Sequence, residues 1–482
     1  MSLCRIVDAR VQDPFAVLKT RQSLNDSQTE QVVAEIIDRV RTQGDAALLA
    51  NGRRFDAPYL TSIEVTAEEL DAVELSNHEA AAIDFAAKRI EEFHTLQLSH
   101  FTGGLEPFNA AIRGEASNLS LSATSMVSGS EFDGRKTVGE MGQCGHEVAV
   151  PISHNPGERT CFGWMHGGVG QRVMPLSKVG CYVPGGKATY PSSVLMNVIP
   201  AQVAGVEQCF VTTPARSDGS LAPSVLFALL RAGVAKAFKI GGAAAIAAFA
   251  FGTESVPRMD KIVGPGNRFV NEAKRQLWGK VGLDGYAGPS EVCVLIDDWT
   301  NIEWACADLL TQIEHSEDNA AFVVSTSESA LYSLLEAAQR QLTGAANEAA
   351  MRTALSEQSI AFIASDRSQA IDIINCIAPE HLTISTADSD LVLEKVKNAG
   401  AIMLGEYTPE SAGDYVLGPS HTLPTSGAAR FSSPLNVLDF LKIQSVSKLS
   451  FDQLIDLIPA IEAFGAMEGF PVHARGAKIR LE

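Results

Sequence analysis

The stretch DLLTQIEHSEDN, residues 308–319, sets Gln312 three positions before His315. On a helix an i, i+3 pair shares one face, so an amide oxygen and an imidazole stand side by side. A polar surface pair and one edge of a metal site both fit that spacing. Of ten histidines, His315, His381, His421 and His473 fall in the C-terminal third, within QIEH, APEH, SAGDYVLGPSH and EGFPVH.

In APEHL, Glu380 and His381 follow Pro379 at the expected start of a strand. Adjacent residues on an extended strand point to opposite faces; an irregular start lets both reach one cavity. A Glu–His pair suits proton transfer because imidazole titrates near neutral pH. A surface dipeptide is the alternative. Asp414 lies among Ser411, Ala412 and Gly413, small residues that allow close approach of a ligand to the backbone. Asp with Gln and two His makes an N/O donor set suited to zinc or a similar divalent ion. Gln, being neutral, leaves such an ion a stronger Lewis acid than a carboxylate would. GPGNRFV (264–270) and YVPGG (182–186) are glycine-rich turns after strands, each opening a helix whose amides suit a phosphate. Neither matches GxGxxG, and plain tight turns fit as well.

These residues need elements to hold them. Val32, Val33, Ile36, Ile37 and Val40 form a helical stripe in 27–43, ended or kinked at Gly44-Asp45, and a second helix is expected from about Asn77 to Phe93. Residues 98–168 are rich in Gly, Ser, Thr and Asn and predict an irregular surface segment. Its histidines and cysteines match no common zinc spacing. From 178 to about 405, strands such as VGCYVP, QCFVTT, AKAFKI, SEVCVLI and AAFVVSTS alternate with helices, which predicts parallel sheets of βαβ units. In NIEWACADLLTQIEHS the residues Trp304, Ala307, Leu310 and Ile313 are expected to face the core, with Gln312 and His315 on the next stripe. The last forty or so residues form an amphipathic tail too small to fold alone, so it must dock on the body or on a second subunit.

Composition sets outer bounds. The 482 residues are 46% hydrophobic and 20% charged, as in ordinary globular proteins. A net charge of −19 repels phosphate backbones and anionic membranes, so nucleic acid and membrane are not expected partners. The eight cysteines form no CxxC, several sit in apolar runs, and no signal peptide or apolar span is legible. That pattern points to a reducing, cytoplasmic setting.

Taken together, the stretches VGCYVPGGKATYPSSVLMNVIPAQVAGV, KIGGAAAIAAFAFGTESVP, DKIVGPGNRFVNEAKRQ, AGPSEVCVLID, DLLTQIEH, APEHL, TPESAGDY, HTLPTSGAARFSSPLNVLDF and EGFPVHA resemble the histidinol dehydrogenase family. The resemblance implies oxidation of L-histidinol to L-histidine in two NAD-dependent steps through a bound aldehyde. It implies one zinc per site, with ligands at Gln312, His315, Asp414 and His473, the last donated by the partner's tail. By the same matching, His381 is the general base and Glu380 activates water. Ser290, His421 and Glu468 contact the substrate along with Gln312, His315, His381, Asp414 and His473. Tyr182 and Asn267 contact the dinucleotide.

The implied fold is α/β, with two Rossmann-like domains of parallel sheet, a short N-terminal segment (1–27) and a helical C-terminal dimerisation tail (441–482). The first domain takes 28–177 and 291–440, and the second, on the dinucleotide side, takes 178–290. The chain departs from the family at Ala244, where GGAQAIAA has Gln, at Ser420, where Asn is usual, and in the long segment around 98–160. These departures keep open a paralogue oxidising another amino alcohol or diol; a reading of another class is a zinc-stabilised ligand-binding dimer without turnover.

Overall fold

The computed structural model describes residues 3–19, 27–101, 162–166, 168–186, 188–285 and 288–482. Most of the segment expected to be irregular, with His146, His154, Cys144 and Cys161, lies outside them. The strands are β1 (Arg5–Asp8), β2 (Phe162–His166), β3 (Val169–Pro175), β4 (Lys178–Tyr182), β5 (Gln208–Thr213), β6 (Lys236–Lys239), β7 (Lys261–Val263), β8 (Gly282–Leu283), β9 (Glu291–Ile296), β10 (Ala320–Ser325), β11 (Ile360–Ile363), β12 (His381–Ser385), β13 (Ala401–Leu404) and β14 (Leu441–Ser447).

A six-stranded sheet runs β1-β11-β10-β9-β12-β13 and a five-stranded sheet β6-β5-β4-β7-β8. All pairings in both are parallel. The reason is visible in EVCVLI. Every residue of β9 is buried; Val292, Val294 and Ile296 enter one core while Cys293 and Leu295 enter the other. A strand apolar on both faces needs helices on both sides, which βαβ crossovers supply. The helices Ile302–Ile313 and Glu328–Leu342 cover one face and Arg367–Ile377 the other.

The N-terminal helices sit differently from the sequence expectation. Residues 28–177 were grouped with 291–440, but Val33, Ile36 and Val40 of the helix Ser27–Gln43 join the core of the five-stranded sheet, with Phe238 and Phe249. They pack there against Gly242–Phe251, a helix of mostly alanines whose small side chains admit a close neighbour. From the N-terminal segment, β1 instead extends the six-stranded sheet.

Two compact units result: residues 1–98 with 176–440, and 99–175 with 441–482. Both parallel sheets belong to the first. In the second, β2 and β3 pair antiparallel, and β14 joins β3, so the expected tail begins with a strand and the expected irregular segment ends in one. The helices Phe451–Met467 and Pro471–Lys478 then form a hairpin. Ser450 and Gln453 make a capping box at its start. Gly465 lets the two helices meet, since a Cβ there would lie 3.0 Å from Cβ of Ala474. Among the described residues no helix is long and apolar enough to cross a membrane.

The five-stranded order reverses between β4 and β7. At such a reversal, ligands of open α/β sheets sit beyond the carboxyl ends of the strands. The turn after β7 is pinned there. Lys274 Nζ donates to the Gly264 carbonyl at 2.6 Å and to Asp284 Oδ1 at 2.7 Å, and the Gly264 N–H donates to Asp284 Oδ2 at 2.7 Å. Gly264 has φ +110°, and a Cβ would meet the Tyr182 carbonyl oxygen at 2.1 Å, so only glycine fits. Lys274→Met would leave the Asp284 carboxylate, 8% exposed, without its counter-ion. A loss of about 3–5 kcal/mol is expected in denaturant unfolding, and a change under 1 kcal/mol would show the pair to be dispensable.

Candidate active site

The helix Arg367–Ile377 ends in Ala378 at φ 49°, a left-handed cap that turns the chain into APEH. His381 opens β12, and Glu380 precedes it outside the strand. The irregular start puts both side chains in one buried place: Glu380 Oε2 lies 3.8 Å from His381 Nδ1, and both residues are buried. The Glu291 N–H donates to Glu380 Oε2 at 2.8 Å, and His381 Nδ1 lies 3.3 Å from the Glu291 carbonyl.

The short helix Glu410–Tyr415 adds two carboxylates one turn apart. Glu410 Oε1 lies 3.6 Å from His381 Nδ1, and Asp414 Oδ1 lies 3.6 Å from Nε2. Glu410 is fully buried, and neither of its carboxylate oxygens completes a well-formed hydrogen bond. Its polar neighbours are His381 and the side chain of Gln312, while its N–H donates to Asp308 Oδ1 at 3.2 Å. Burial pushes the carboxyls of Glu380 and Glu410 up, and His381 pulls both part-way back. Burial opposes charge on the His381 ring, but Glu410, Glu380 and Asp414 outweigh it and the ring is raised. Burial would also raise Asp414; His381, His421 and His315 hold it below the usual carboxylate range instead.

Gln312 is buried near the end of the helix Ile302–Ile313, and His315 stands exposed just beyond it. The core stripe of that helix is Ala305, Cys306, Leu309, Leu310 and Ile313; Trp304 and Ala307, expected inside, are exposed. Asn319 ties this end to the sheet: its Nδ2 donates to the Gln312 carbonyl at 2.7 Å, and its Oδ1 accepts from the Ser290 N–H at 3.2 Å. His421 Nδ1 lies 2.8 Å from the Asp414 carbonyl and Nε2 lies 3.0 Å from Ser193 Oγ. Burial lowers the pKa of that ring and favours the neutral form.

Tyr182 closes β4 with its side chain buried, and its hydroxyl accepts from the Gly242 N–H at 3.2 Å. Asn267 caps the helix Arg268–Leu277, its side-chain oxygen accepting from Phe269 and Val270. Both therefore stand at the carboxyl ends flanking the strand reversal. Glu468 and His473 lie in the second unit, on the helical hairpin, where a groove of about 280 Å³ is lined by them with Ile461, Phe464 and Phe470. The first unit thus gathers Ser290, Gln312, His315, Glu380, His381, Asp414 and His421, and the second holds the other two.

Comparison with known proteins decides the lineage. The family model described as Histidinol dehydrogenase matches residues 19–110 and 157–481. The chain is 40% identical to the histidinol dehydrogenase of Syntrophotalea carbinolica, over 94% of this chain and 93% of that one. It is 37% identical to that of Geobacter sulfurreducens over the whole of both. The crystal structure of histidinol dehydrogenase from Elizabethkingia anophelis matches with a TM-score of 0.79 at 29% identity, covering 100% of this chain and 98% of that one. The chain belongs to the histidinol dehydrogenase family.

It is accordingly a dehydrogenase. Among histidinol dehydrogenases this chain's departures take definite places: Ala244 is core, and the Ser420 hydroxyl donates to the Met196 carbonyl at 3.2 Å. Sequence reading missed Glu410, Asn319 and Ser193. Glu410 had a signal, the i, i+4 spacing to Asp414 in PESAGDY; the other two had none.

Asp56 is a further group missed by sequence. It accepts from the Gly241 N–H, and burial, the larger effect, pushes its carboxyl up to about 6. A raised carboxyl favours the fold only while protonated. Wild type should therefore lose stability relative to Asp56→Asn as pH rises from about 4 to about 6, by about 1–2 kcal/mol for this part-exposed group. Parallel unfolding curves across that window would refute the assignment.

Proposed function

We propose that the protein oxidises L-histidinol to L-histidine in two NAD-dependent steps, with one zinc per site, as the last step of histidine biosynthesis. One observation carries the reading: a buried imidazole, His381, faces three carboxylates, Glu380, Glu410 and Asp414, in a chain of this family. A binder without turnover has no need of such a base.

The residues fit a divalent cation. Among the described residues no three His, Cys, Asp or Glu side chains converge as a metal cage. The proposed set includes an amide, Gln312, with His315 and Asp414, and its fourth member is the partner subunit's His473. The three carboxylates around one raised imidazole, with neither Glu410 oxygen in a well-formed hydrogen bond, mark surplus negative charge. With Asp414 committed to a cation, the ring loses one of the groups that keep it protonated, as a general base requires. When bound, zinc supplies a Lewis acid that orients the amino and imidazole nitrogens of the substrate. NAD supplies the hydride acceptor, at Tyr182 and Asn267.

The chain's own groups do the rest. His381 takes the proton from the alcohol as hydride leaves its carbon. Glu380 then draws a proton from the water that adds to the bound aldehyde. His381 takes the proton from the resulting hydrate in the second oxidation. Burial of the cluster excludes bulk water from the aldehyde. Ser290, His421 and Glu468 hold the substrate.

The hairpin supports a homodimer with shared sites. Phe464 is 60%, Met467 72% and Val472 77% exposed, an apolar face that a partner would cover. The acidic charge and the absence of a membrane-crossing helix among the described residues agree with a cytoplasmic enzyme acting on a small amino alcohol.

With limiting L-histidinol and excess NAD, two NADH per substrate are expected from the zinc-loaded protein. A zinc-loaded protein that forms none from histidinol but some from another amino alcohol or diol would establish the paralogue. Silence on all of them would leave the binding dimer. Mixing His473→Ala with His381→Asn should restore up to about a quarter of wild-type activity, since one site in each mixed dimer is intact. No recovery in mixtures shown to exchange subunits would exclude a shared site.

A further inference from the structure

The segment Ser420–Thr422 lies along the helix Pro191–Val203, which follows the turn after β4. Ser420 Oγ donates to the Met196 carbonyl at 3.2 Å, and Thr422 Oγ1 donates to Asn197 Oδ1 at 3.3 Å. Asn197 Nδ2 donates to the Ser193 carbonyl at 2.6 Å. Ser193, Asn197, Ser420 and Thr422 are all buried. Between them, His421 reaches both ways: Nδ1 to the Asp414 carbonyl at 2.8 Å and Nε2 to Ser193 Oγ at 3.0 Å.

A carbonyl only accepts, so Nδ1 carries the proton. In a neutral ring Nε2 must then accept, and the Ser193 hydroxyl donates. The carbonyl thus selects the tautomer, and the hydroxyl holds the ring at its other nitrogen. Without it, Nε2 is an unpaired acceptor, and the ring gains by turning towards another donor. That turn releases the Asp414 main chain.

We propose that Ser193 is a positioning residue of this dehydrogenase: its hydroxyl holds the Nδ1–H ring of His421 in the orientation that ties the main chain at Asp414 to the helix Pro191–Val203. The effect on substrate rests on the reading of His421 and Asp414 as the substrate pole. One corollary concerns recognition. Both ring nitrogens of His421 are already used, so a substrate reaches Nε2 only if the Ser193 hydroxyl turns away.

The test uses zinc-loaded full-length protein labelled with 15N in the histidine rings. Long-range 1H–15N spectra report the tautomer, and His421→Gln identifies the signal. Wild type is expected to show a single Nδ1–H ring, and Ser193→Ala the same tautomer with its Nε2 signal moved downfield by loss of the hydrogen bond. Kinetically, Ser193→Ala should raise KM for L-histidinol about tenfold and change kcat less than threefold. Zinc content and NADH affinity by fluorescence titration should not move, and Ser193→Thr should restore KM while Ser193→Val should not. An Nε2–H ring in wild type overturns the proposal whether or not any variant folds. So does an unchanged KM and Nε2 signal in Ser193→Ala. An Nδ1–H ring whose Nε2 signal moves in Ser193→Ala, in a protein that does not oxidise histidinol, would uphold the positioning role and reject the substrate.

Discussion

One imidazole has to balance two buried carboxylates and a half-buried third. Glu380, Glu410 and Asp414 each face His381 within 4 Å, and no lysine or arginine pairs with them among the described residues. Burying charge without a partner is costly, so this arrangement persists only where the surrounding framework holds it or a cation completes it. The framework here is substantial. The Glu291 N–H grips Glu380, Asp308 grips the backbone of Glu410, and His421 grips that of Asp414. The cluster is therefore held on rigid elements, and burial keeps Glu380 and Glu410 towards their neutral forms.

The two parallel sheets serve the site from opposite ends. Tyr182 and the turn holding Asn267 stand at the carboxyl ends of β4 and β7, where open α/β sheets bind ligands. In the six-stranded sheet the functional groups stand at the amino ends. Ser290 precedes β9, Asn319 precedes β10 and His381 opens β12. Helix dipoles favour anions at the former end, where helix N-termini gather. At the latter, the C-terminal end of the helix Ile302–Ile313 presents Gln312 and His315, a polarity that favours a cation. In the proposed function, opposite use of two similar sheets would separate an anion-binding pole from a cation-binding pole within one unit.

The second unit has a simpler logic. A three-stranded antiparallel sheet and a helical hairpin bury little of their own: Phe451, Phe464 and Phe470 are all exposed. So small an assembly stays apolar outside only if something else covers it. Two of the residues matched to ligand contacts, Glu468 and His473, lie on that same surface. In the proposed shared-site dimer, one covering event would serve both stability and the site.

By itself the sequence determined the alternation of strands and helices, because runs such as EVCVLI admit only a strand buried on both faces. It also marked Gln312, His315, Asp414 and the Glu380–His381 pair, through types and spacings that chemistry restricts. The tertiary structure decided what periodicity leaves free. The stripe of the helix at 27–43 shows an apolar face but not which sheet it meets, and small alanines at 242–251 settled that. The stripe of the helix at 302–313 was misjudged at Trp304 and Ala307 because side-chain size does not fix rotation about the axis. Whether Glu380 and His381 share a cavity depended on the left-handed turn at Ala378, a conformation that alanine does not advertise. Ser193 and Asn319 were invisible for the same reason. A hydroxyl or amide acquires its role only from the buried partner that folding brings within 3 Å or so.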